Sequence, residues 1–330
     1  MDADGRVVLI IGASSGIGRA TALQCARRGD RVVLAARAEQ PLRAAARECT
    51  DAGGEALVVP TDVTDAVAVA KLFAAAAERF GRVDAVVHSV TVVAYGRFEE
   101  VPALVFDQVL ETTLTGTANV ARTALRVFKA AGGGNLVLVG SLLGKIATPY
   151  LSSYVTAKWA VHGLARTLQI EARETPGINI SLVSPGGVDT PVYRQAASYY
   201  GRGGRPPPPV DPPEKVARAI VRALDRPRRE TSVGIANPVV VAGFQGLPFV
   251  FDRLVAPLMK VGGLSKAPVP LNDGNVFAPV PAGEATHGEW GRHWLRPVAG
   301  VAGLGAAAAV VSWRGAEVLR WARHRGPTRK

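Results

Sequence analysis

Tyr154 and Lys158 are the two residues whose types and spacing most directly suggest acid–base chemistry. They lie four residues apart in the stretch YVTAK, so on a helix they share one face. Because a nearby ammonium stabilises a phenolate, we expect Lys158 to lower the pKa of the Tyr154 phenol from about 10 toward the working range. A tyrosine with such a pKa can donate a proton to an alkoxide or remove one from an alcohol. The same spacing also arises by chance, so the pair needs support from the rest of the chain.

Ser141 is a second candidate for this chemistry. It follows the apolar run Leu136–Val139, which predicts a β-strand. If that strand ends at the ligand-binding edge of a sheet, the Ser141 hydroxyl could hydrogen-bond a substrate oxygen. A serine that caps a turn after a strand would give the same pattern.

A glycine-rich stretch has the composition of a phosphate-binding turn. It directly follows the predicted strand Val7–Ile11 and precedes an amphipathic helix. Glycine lets the backbone turn sharply and approach a pyrophosphate without Cβ collisions, and a helix N-terminus offers unpaired N–H groups and a partial positive charge. Three residues separate the first two glycines, which is a variant of the usual dinucleotide spacing. We expect six residues here to contact a dinucleotide: Gly12, Ser14, Ser15, Gly16, Ile17 and Gly18.

The tip of the second predicted strand favours NADP over NAD. An acidic residue there would accept hydrogen bonds from the ribose hydroxyls and select NAD, but this strand ends in LAAR. Ala36 leaves room, and Arg37 could pair with a 2′-phosphate, assisted by Arg19. An ordinary solvated arginine at a strand end would look the same.

Asp62, followed by Val63, stands after the third predicted strand. The Asp62 carboxylate could accept a hydrogen bond from an adenine amino group. It could equally cap the following helix. We include both residues in the candidate cofactor site.

Apolar runs alternate with helical stretches over much of the chain, which predicts an α/β fold with a doubly wound parallel sheet. The predicted strands are Val7–Ile11, Val32–Ala36, Ala56–Val59, Ala85–His88, Leu136–Val139, Asn179–Val183 and Thr231–Ile235. The predicted helices are Ile17–Arg28, Gln40–Ala52, Ala66–Phe80, Ala103–Ala130 and Ser153–Glu174. Because the carboxyl ends of parallel strands meet at one edge, the glycine loop and Ser141 are expected to lie together.

The regular pattern fades after Ser184. Tyr193–Val210 contains tyrosines, a glycine–arginine stretch and four successive prolines, which predicts a loop over a site. Pro213–Leu224 predicts a helix with proline in its first turn. From Pro238 to Trp294 the chain is rich in proline and glycine, and we expect a poorly regular extension that wraps the core.

The stretch Val298–Trp313 is apolar and directly precedes a basic tail. It is shorter than the roughly 20 residues that a membrane span needs, so an ordinary or surface-lying helix is favoured. Peripheral or C-terminal membrane association through residues 298–330 is the alternative. The basic residues of the tail are Arg314, Arg320, Arg323, Arg325, Arg329 and Lys330.

Composition limits the compartment and the partners. The formal net charge is +12, which suggests nucleic acid as a partner. No aromatic interleaving or nucleic-acid-binding motif accompanies this charge, so we expect no nucleic acid to bind. Cys25 and Cys49 lie in separate predicted helices without metal-ligand spacing, so we expect small buried residues and no metal. No signal peptide fits before the first strand, and a reducing cytoplasm is the expected location.

Together these motifs resemble the short-chain dehydrogenase/reductase family over roughly residues 6 to 236. The glycine motif, Ser141, Tyr154 and Lys158 carry the resemblance by their order and spacing, and SPGGVDT at 184–190 resembles the family motif after the sixth strand. The resemblance implies a Rossmann domain over residues 1–236, an extension over 237–330, and hydride transfer between NADP and an alcohol or carbonyl. It implies Tyr154 as general acid/base, Lys158 on the nicotinamide ribose and Ser141 on the carbonyl. It also implies cofactor contacts from Pro185, Gly186, Val188 and Thr190.

The chain departs from the family pattern at two places. The stretch HSVT at 88–91 replaces the usual Asn-Asn-Ala-Gly, and Thr91 adds bulk beside the expected cofactor path. Thr113 stands where the family carries a catalytic asparagine that supports a water-linked proton relay. We therefore place Thr113 in the catalytic set and His88 in the cofactor-binding segment, where a structural hydrogen bond is favoured over a role as base. His162, one turn beyond Lys158, is taken as an ordinary helix residue.

Two functional hypotheses remain. The first is an active NADP-linked oxidoreductase, a homo-oligomer through its long central helices, with an apolar substrate; the residues that suggest this substrate are Leu142, Leu143, Tyr150 and Tyr193. The second is a non-catalytic dinucleotide-binding scaffold or sensor, motivated by Thr91 and Thr113. Retention of Ser141, Tyr154 and Lys158 argues against the second, since a binder has no need of all three.

Overall fold

A seven-stranded parallel sheet forms the centre of the computed structural model, which describes residues 5–290. The strands are β1 (Val7–Ile11), β2 (Arg31–Ala36), β3 (Glu55–Pro60), β4 (Ala85–His88), β5 (Gly134–Val139), β6 (Ile178–Pro185) and β7 (Glu230–Val233). Their spatial order is β7-β6-β5-β4-β1-β2-β3, and all neighbouring pairs are parallel. The order reverses direction at β1, which is where open α/β sheets bind ligands.

Helices cover both faces of this sheet. They are α1 (Gly16–Ala26), α2 (Glu39–Asp51), α3 (Ala66–Phe80), α4 (Ala103–Leu110), α5 (Gly116–Ala131), α6 (Ser152–Glu171), α7 (Pro213–Asp225), α8 (Asn237–Gly246) and α9 (Pro248–Leu258). Alternate residues of β1 enter two different cores. Val7, Leu9 and Ile11 pack with residues of α3, α5 and α6, whereas Val8 and Ile10 pack with residues of α1, α2 and α7. The predicted doubly wound sheet is therefore confirmed.

The prediction of a single helix over Ala103–Ala130 is wrong for the middle of this range. A π-helical turn over Glu111–Thr115 separates α4 from α5. Three of its five residues are threonines, whose branched side chains and hydroxyls fit a regular helix poorly. Such turns are frequent at functional sites, and this one carries Thr113.

The prediction of a poorly regular extension from Pro238 to Trp294 is wrong for residues 238–268. Two helices, α8 and α9, form there, and each has proline in its first turn, where the missing N–H costs no hydrogen bond. A short strand, Leu264–Pro268, then pairs antiparallel with Arg202–Gly204 inside the predicted loop. Proline therefore starts these helices rather than preventing them.

Asn237 joins the first turn of α8 to the sheet. Its buried amide donates to the carbonyl of Val233 and to the hydroxyl of Ser232, both at 3.1 Å. This bond network fixes α8 at the carboxyl ends of β6 and β7. The start of α8 is thus packed against the sheet at the edge where a ligand would bind.

Within residues 5–290, no helix is long and apolar enough to cross a membrane. The apolar stretch Val298–Trp313 and the basic tail lie outside the described residues.

Replacing Phe128 with alanine should destabilise the protein by about 3–5 kcal/mol, because this fully buried ring fills the space between α5 and β5 and would leave a cavity. Urea denaturation would measure the loss. Phe249→Ala is the matched control, since that ring is 79% exposed and its removal should change stability little. Equal losses in the two variants would contradict this assignment of the core.

Candidate functional site

A crevice of about 750 Å³ lies at the carboxyl edge of the sheet. Of the site residues predicted from the sequence, all line it except His88 and Thr113, which are buried. The volume is within the usual range for sites that enclose a cofactor or small molecule. The sheet thus brings residues from six separate parts of the chain to one edge.

The glycine loop has the backbone shape that a close-approaching phosphate group requires. Gly12 and Gly16 have φ angles of +92° and +52°, which side chains disfavour. A Cβ on Gly12 would meet the Ser89 hydroxyl at 2.7 Å, and one on Gly16 would meet the Thr190 methyl at 3.0 Å. The cradle therefore fits a dinucleotide pyrophosphate at the N-terminus of α1.

Arg37 lies at the tip of β2. Some of its hydrogen-bonding capacity is taken up by carbonyl groups from later in the chain. Its guanidinium donates to the carbonyl of Asn275 at 2.7 Å and, more weakly, to those of Val276 and Phe277. Burial lowers the pKa of Arg37, while the carboxylates of Asp62 and Glu284 act in the opposite direction. The guanidinium remains a cation at the edge of the crevice.

Asp62 has a local structural role. Its carboxylate accepts hydrogen bonds from the backbone amide and the hydroxyl of Thr64, at 2.9 and 2.8 Å. The N-cap of α3 is instead Asp65. Arg19, suggested as an assistant to Arg37, forms a 2.6 Å ion pair with Glu48.

Tyr154 and Lys158 project from α6 into the deepest part of the crevice. The Lys158 ammonium lies 5.7 Å from the centre of the Tyr154 ring and donates to the carbonyl of Val139 at 3.0 Å. Ser141 follows β5 and is close enough for its hydroxyl to bond the phenol of Tyr154. The three residues that the sequence proposed for acid–base chemistry therefore line the same crevice.

The expected lowering of the Tyr154 pKa is wrong for the chain without ligand. Burial raises the pKa of this phenol, and only the Ser141 hydroxyl works against that shift. Burial also lowers the pKa of Lys158 to about 8. An ammonium near a phenol favours the phenolate, but both groups lose water on burial, and desolvation is the larger effect here.

His88 and Thr113 lie behind the crevice wall. Neither ring nitrogen of His88 has a hydrogen-bond partner among the described residues, so the expected structural hydrogen bond is absent. Burial and the nearby Lys158 charge lower the pKa of His88 to about 3, which keeps the ring neutral. The Thr113 hydroxyl lies 3.2 Å from that of Thr91, and the two departures from the family pattern are thus direct neighbours.

His162, taken from the sequence as an ordinary helix residue, positions Ser141. Its Nε2 accepts a hydrogen bond from the Ser141 backbone amide at 3.3 Å, and its ring packs against Gly140 and Gly144. Burial lowers the pKa of His162 to about 4, so the nitrogen stays available as an acceptor. The signal was present in the sequence, since His162 lies on the same helix face as Tyr154 and Lys158.

The wall opposite the glycine loop is apolar. Leu142, Leu143 and Tyr193 line the crevice as expected, whereas Tyr150 does not; its ring packs on Tyr200 instead. Helices α8 and α9, with Leu247 between them, add further apolar surface that was not predicted from the sequence. Their contribution includes Val239, Val240, Leu247, Phe251, Leu254 and Val255.

The segment 273–290 crosses the nucleotide end of the crevice, and we call it the strap. The carbonyl of Ala285 accepts a 2.9 Å hydrogen bond from the Gly16 amide, and Trp290 donates its amide to the Asp189 carboxylate at 3.1 Å. Glu284 lies beside Ser14 and Arg37. The strap thus contacts both the glycine loop and the SPGGVDT motif.

Comparisons with known proteins agree with this geometry. The family described as short chain dehydrogenase matches residues 6–200. The oxidoreductase YxnA of Bacillus subtilis is 32% identical over 257 residues, which cover 77% of this chain and 72% of that protein. The cis-4-hydroxycyclohexanecarboxylate dehydrogenase of Sinomonas cyclohexanicum is 40% identical over 226 residues, 65% of this chain and 87% of that protein.

A solved structure shows the same fold. It is an alcohol dehydrogenase from the archaeon Thermococcus sibiricus complexed with 5-hydroxy-NADP, with a TM-score of 0.60 and 30% sequence identity. The likeness covers 69% of this chain and 95% of that one. With the glycine cradle and the Ser141–Tyr154–Lys158 cluster at one sheet edge, these matches show that the chain belongs to the short-chain dehydrogenase family of NAD(P)-dependent oxidoreductases.

Proposed function

We propose that the protein is an NADP-dependent dehydrogenase or reductase whose substrate is an apolar alcohol or carbonyl compound. The observation that carries this proposal is that Ser141, Tyr154 and Lys158 line one crevice together with an apolar wall. When bound, the nicotinamide supplies or accepts the hydride. The chain's own residues then have to place the substrate oxygen and move one proton.

Tyr154 is the proposed proton carrier. In the reduction direction its phenol donates a proton to the oxygen that develops negative charge, and Ser141 holds the same oxygen by a hydrogen bond. Lys158 places a positive charge beside the resulting phenolate and would also hold the nicotinamide ribose. Because Ser141 and Lys158 are buried and Tyr154 is half-buried, bulk water screens these charges less than it would at the surface.

Thr113 is proposed to take part in proton delivery in place of the family's asparagine. Its buried hydroxyl, in the π-helical turn, and that of Thr91 form a short polar path. A hydroxyl can both donate and accept, which a relay to Lys158 would require. We place His88 in the wall behind this path, where its neutral ring adds no charge.

Arg37 supports NADP as the cofactor. A guanidinium at the tip of β2 matches a 2′-phosphate in charge and geometry, and no acidic side chain belongs to that strand tip. The Thermococcus sibiricus neighbour is described with an NADP derivative, which agrees with this choice. We infer the remaining cofactor contacts from the glycine loop, Val63 and the SPGGVDT motif, as the sequence predicted.

The apolar wall supports an apolar substrate. Aliphatic and aromatic side chains from α8 and α9 face the same crevice as Tyr154. A bulky apolar group beside the reacting carbon would remove this surface from water, which stabilises the complex by roughly 25 cal/mol per Å² buried. A homo-oligomer is proposed on the family resemblance, and the half-exposed Trp159 and Ile170 on α6 are available apolar surface for it.

Replacing Tyr154 with phenylalanine should reduce turnover by about 100-fold or more, because the proton donor is lost while the apolar shape is kept. Steady-state assays with NADPH and a panel of apolar ketones would measure it, with NADPH affinity from fluorescence expected to stay unchanged. Tyr199→Phe is the control, since Tyr199 bonds Asp273 away from the crevice. Wild-type protein that binds NADPH but reduces no carbonyl would instead favour the scaffold hypothesis.

Replacing Lys158 with methionine should make stability less dependent on pH. Burial lowers the pKa of Lys158 from 10.5 to about 8, so between these values the unfolded chain binds more protons than the folded one. Wild-type stability should therefore rise with pH through this window relative to Lys158→Met, and the full cost of about 3 kcal/mol applies below pH 8. Urea denaturation at several pH values would test this; a difference that does not change with pH would refute it.

Replacing Arg37 with alanine should weaken NADP⁺ binding by about tenfold or more, because a charge-assisted pair to phosphate is lost. Binding of NAD⁺ should change much less. Calorimetric titration of both cofactors would give the ratio of affinities. Arg43→Ala on the exposed face of α2 is the control, and an unchanged NADP⁺ to NAD⁺ ratio in Arg37→Ala would exclude the proposed role.

A further inference from the structure

The strap brings an acidic side chain to the place where the proposed function needs a phosphate. The Gly16–Ala285 hydrogen bond fixes the strap at the glycine loop, and the Arg37–Asn275 bond of 2.7 Å fixes it at the tip of β2. Glu284 lies between these two attachment points. The strap is therefore held on both sides of Glu284.

Glu284 lines the crevice together with Ser14 and Arg37. Burial raises the pKa of its carboxyl group, while the Ser14 hydroxyl, Arg37 and Arg19 act in the opposite direction. One of its carboxylate oxygens, Oε2, is buried and has no hydrogen-bond partner among the described residues. A buried acceptor in this state has given up water without full compensation, so the arrangement is one that a better-matched anion could replace.

Arg37, assisted by Arg19, is also the group that the sequence points to for a 2′-phosphate, and Ser14 belongs to the glycine loop that is expected to contact the dinucleotide. A carboxylate and a phosphate cannot share this small cluster without strong repulsion, since both carry negative charge at short range. NADP therefore has to displace Glu284, together with part of the strap. NAD has a hydroxyl in place of the phosphate and meets no such repulsion.

We propose that Glu284 is a specificity-determining residue that competes with the 2′-phosphate for Ser14 and Arg37, and so limits the preference for NADP over NAD. This inference rests on the proposed function, namely on Arg37 as the phosphate partner. It assigns to the C-terminal extension a direct part in cofactor selection. The strap contacts the glycine loop, although the two segments lie far apart in the sequence.

The test compares Glu284→Gln with Glu289→Gln. Both lie in the strap and lose one negative charge, but Glu289 pairs with Arg194, away from the glycine loop. Calorimetric titration with NADP⁺ and NAD⁺ would give four dissociation constants, and thermal melting would confirm that both variants fold. We expect Glu284→Gln to bind NADP⁺ about tenfold more tightly than wild type, with NAD⁺ little changed. Glu289→Gln should resemble wild type.

The two proposals fail in different ways. If Glu284→Gln and Glu289→Gln bind NADP⁺ equally, or if Glu284→Gln binds either cofactor more weakly than wild type, Glu284 does not compete with the phosphate. If Arg37→Ala leaves the NADP⁺ to NAD⁺ ratio unchanged, the phosphate site itself is misplaced. An Arg37 effect without a Glu284 effect would therefore overturn only the inference about the strap.

Discussion

All seven strands of the central sheet are parallel, and the site depends on this single constraint. Each carboxyl end points to the same edge, so the glycine loop after β1, Arg37 after β2 and Ser141 after β5 converge although the chain separates them widely. Helix α6 then needs only to begin near that edge to bring Tyr154 and Lys158 to Ser141. The common direction of the strands thus brings the candidate site residues together, and the loops after the strands provide side chains for the site.

Burial of polar groups is the main cost of this arrangement. The Lys158 ammonium has a carbonyl partner but no carboxylate partner in the part of the chain that is described, and the His88 ring has none. Both groups have pKa values shifted toward their neutral forms for the same reason, the loss of water. Such unbalanced groups reduce stability and are found where a ligand supplies the missing interactions.

Residues that follow β7 form part of the candidate site. Helices α8 and α9 form an apolar wall, and Asn237 fixes the first of them to the ends of β6 and β7. The strap contacts the opposite end of the same crevice through Ala285. Described residues of the extension, within 237–290, therefore border both the proposed substrate region and the proposed nucleotide region.

The sequence by itself determined the sheet, its approximate strands, the glycine cradle and the Ser141–Tyr154–Lys158 set, because periodicity and motif spacing are local properties. It did not determine the direction of the Tyr154 pKa shift, the orphaned His88 ring or the role of His162, because burial depends on what packs from distant elements. It also gave no sign that Glu284 would lie beside Ser14 and Arg37. That contact joins residues far apart in the chain, and only the path of the folded extension across the sheet edge brings them together.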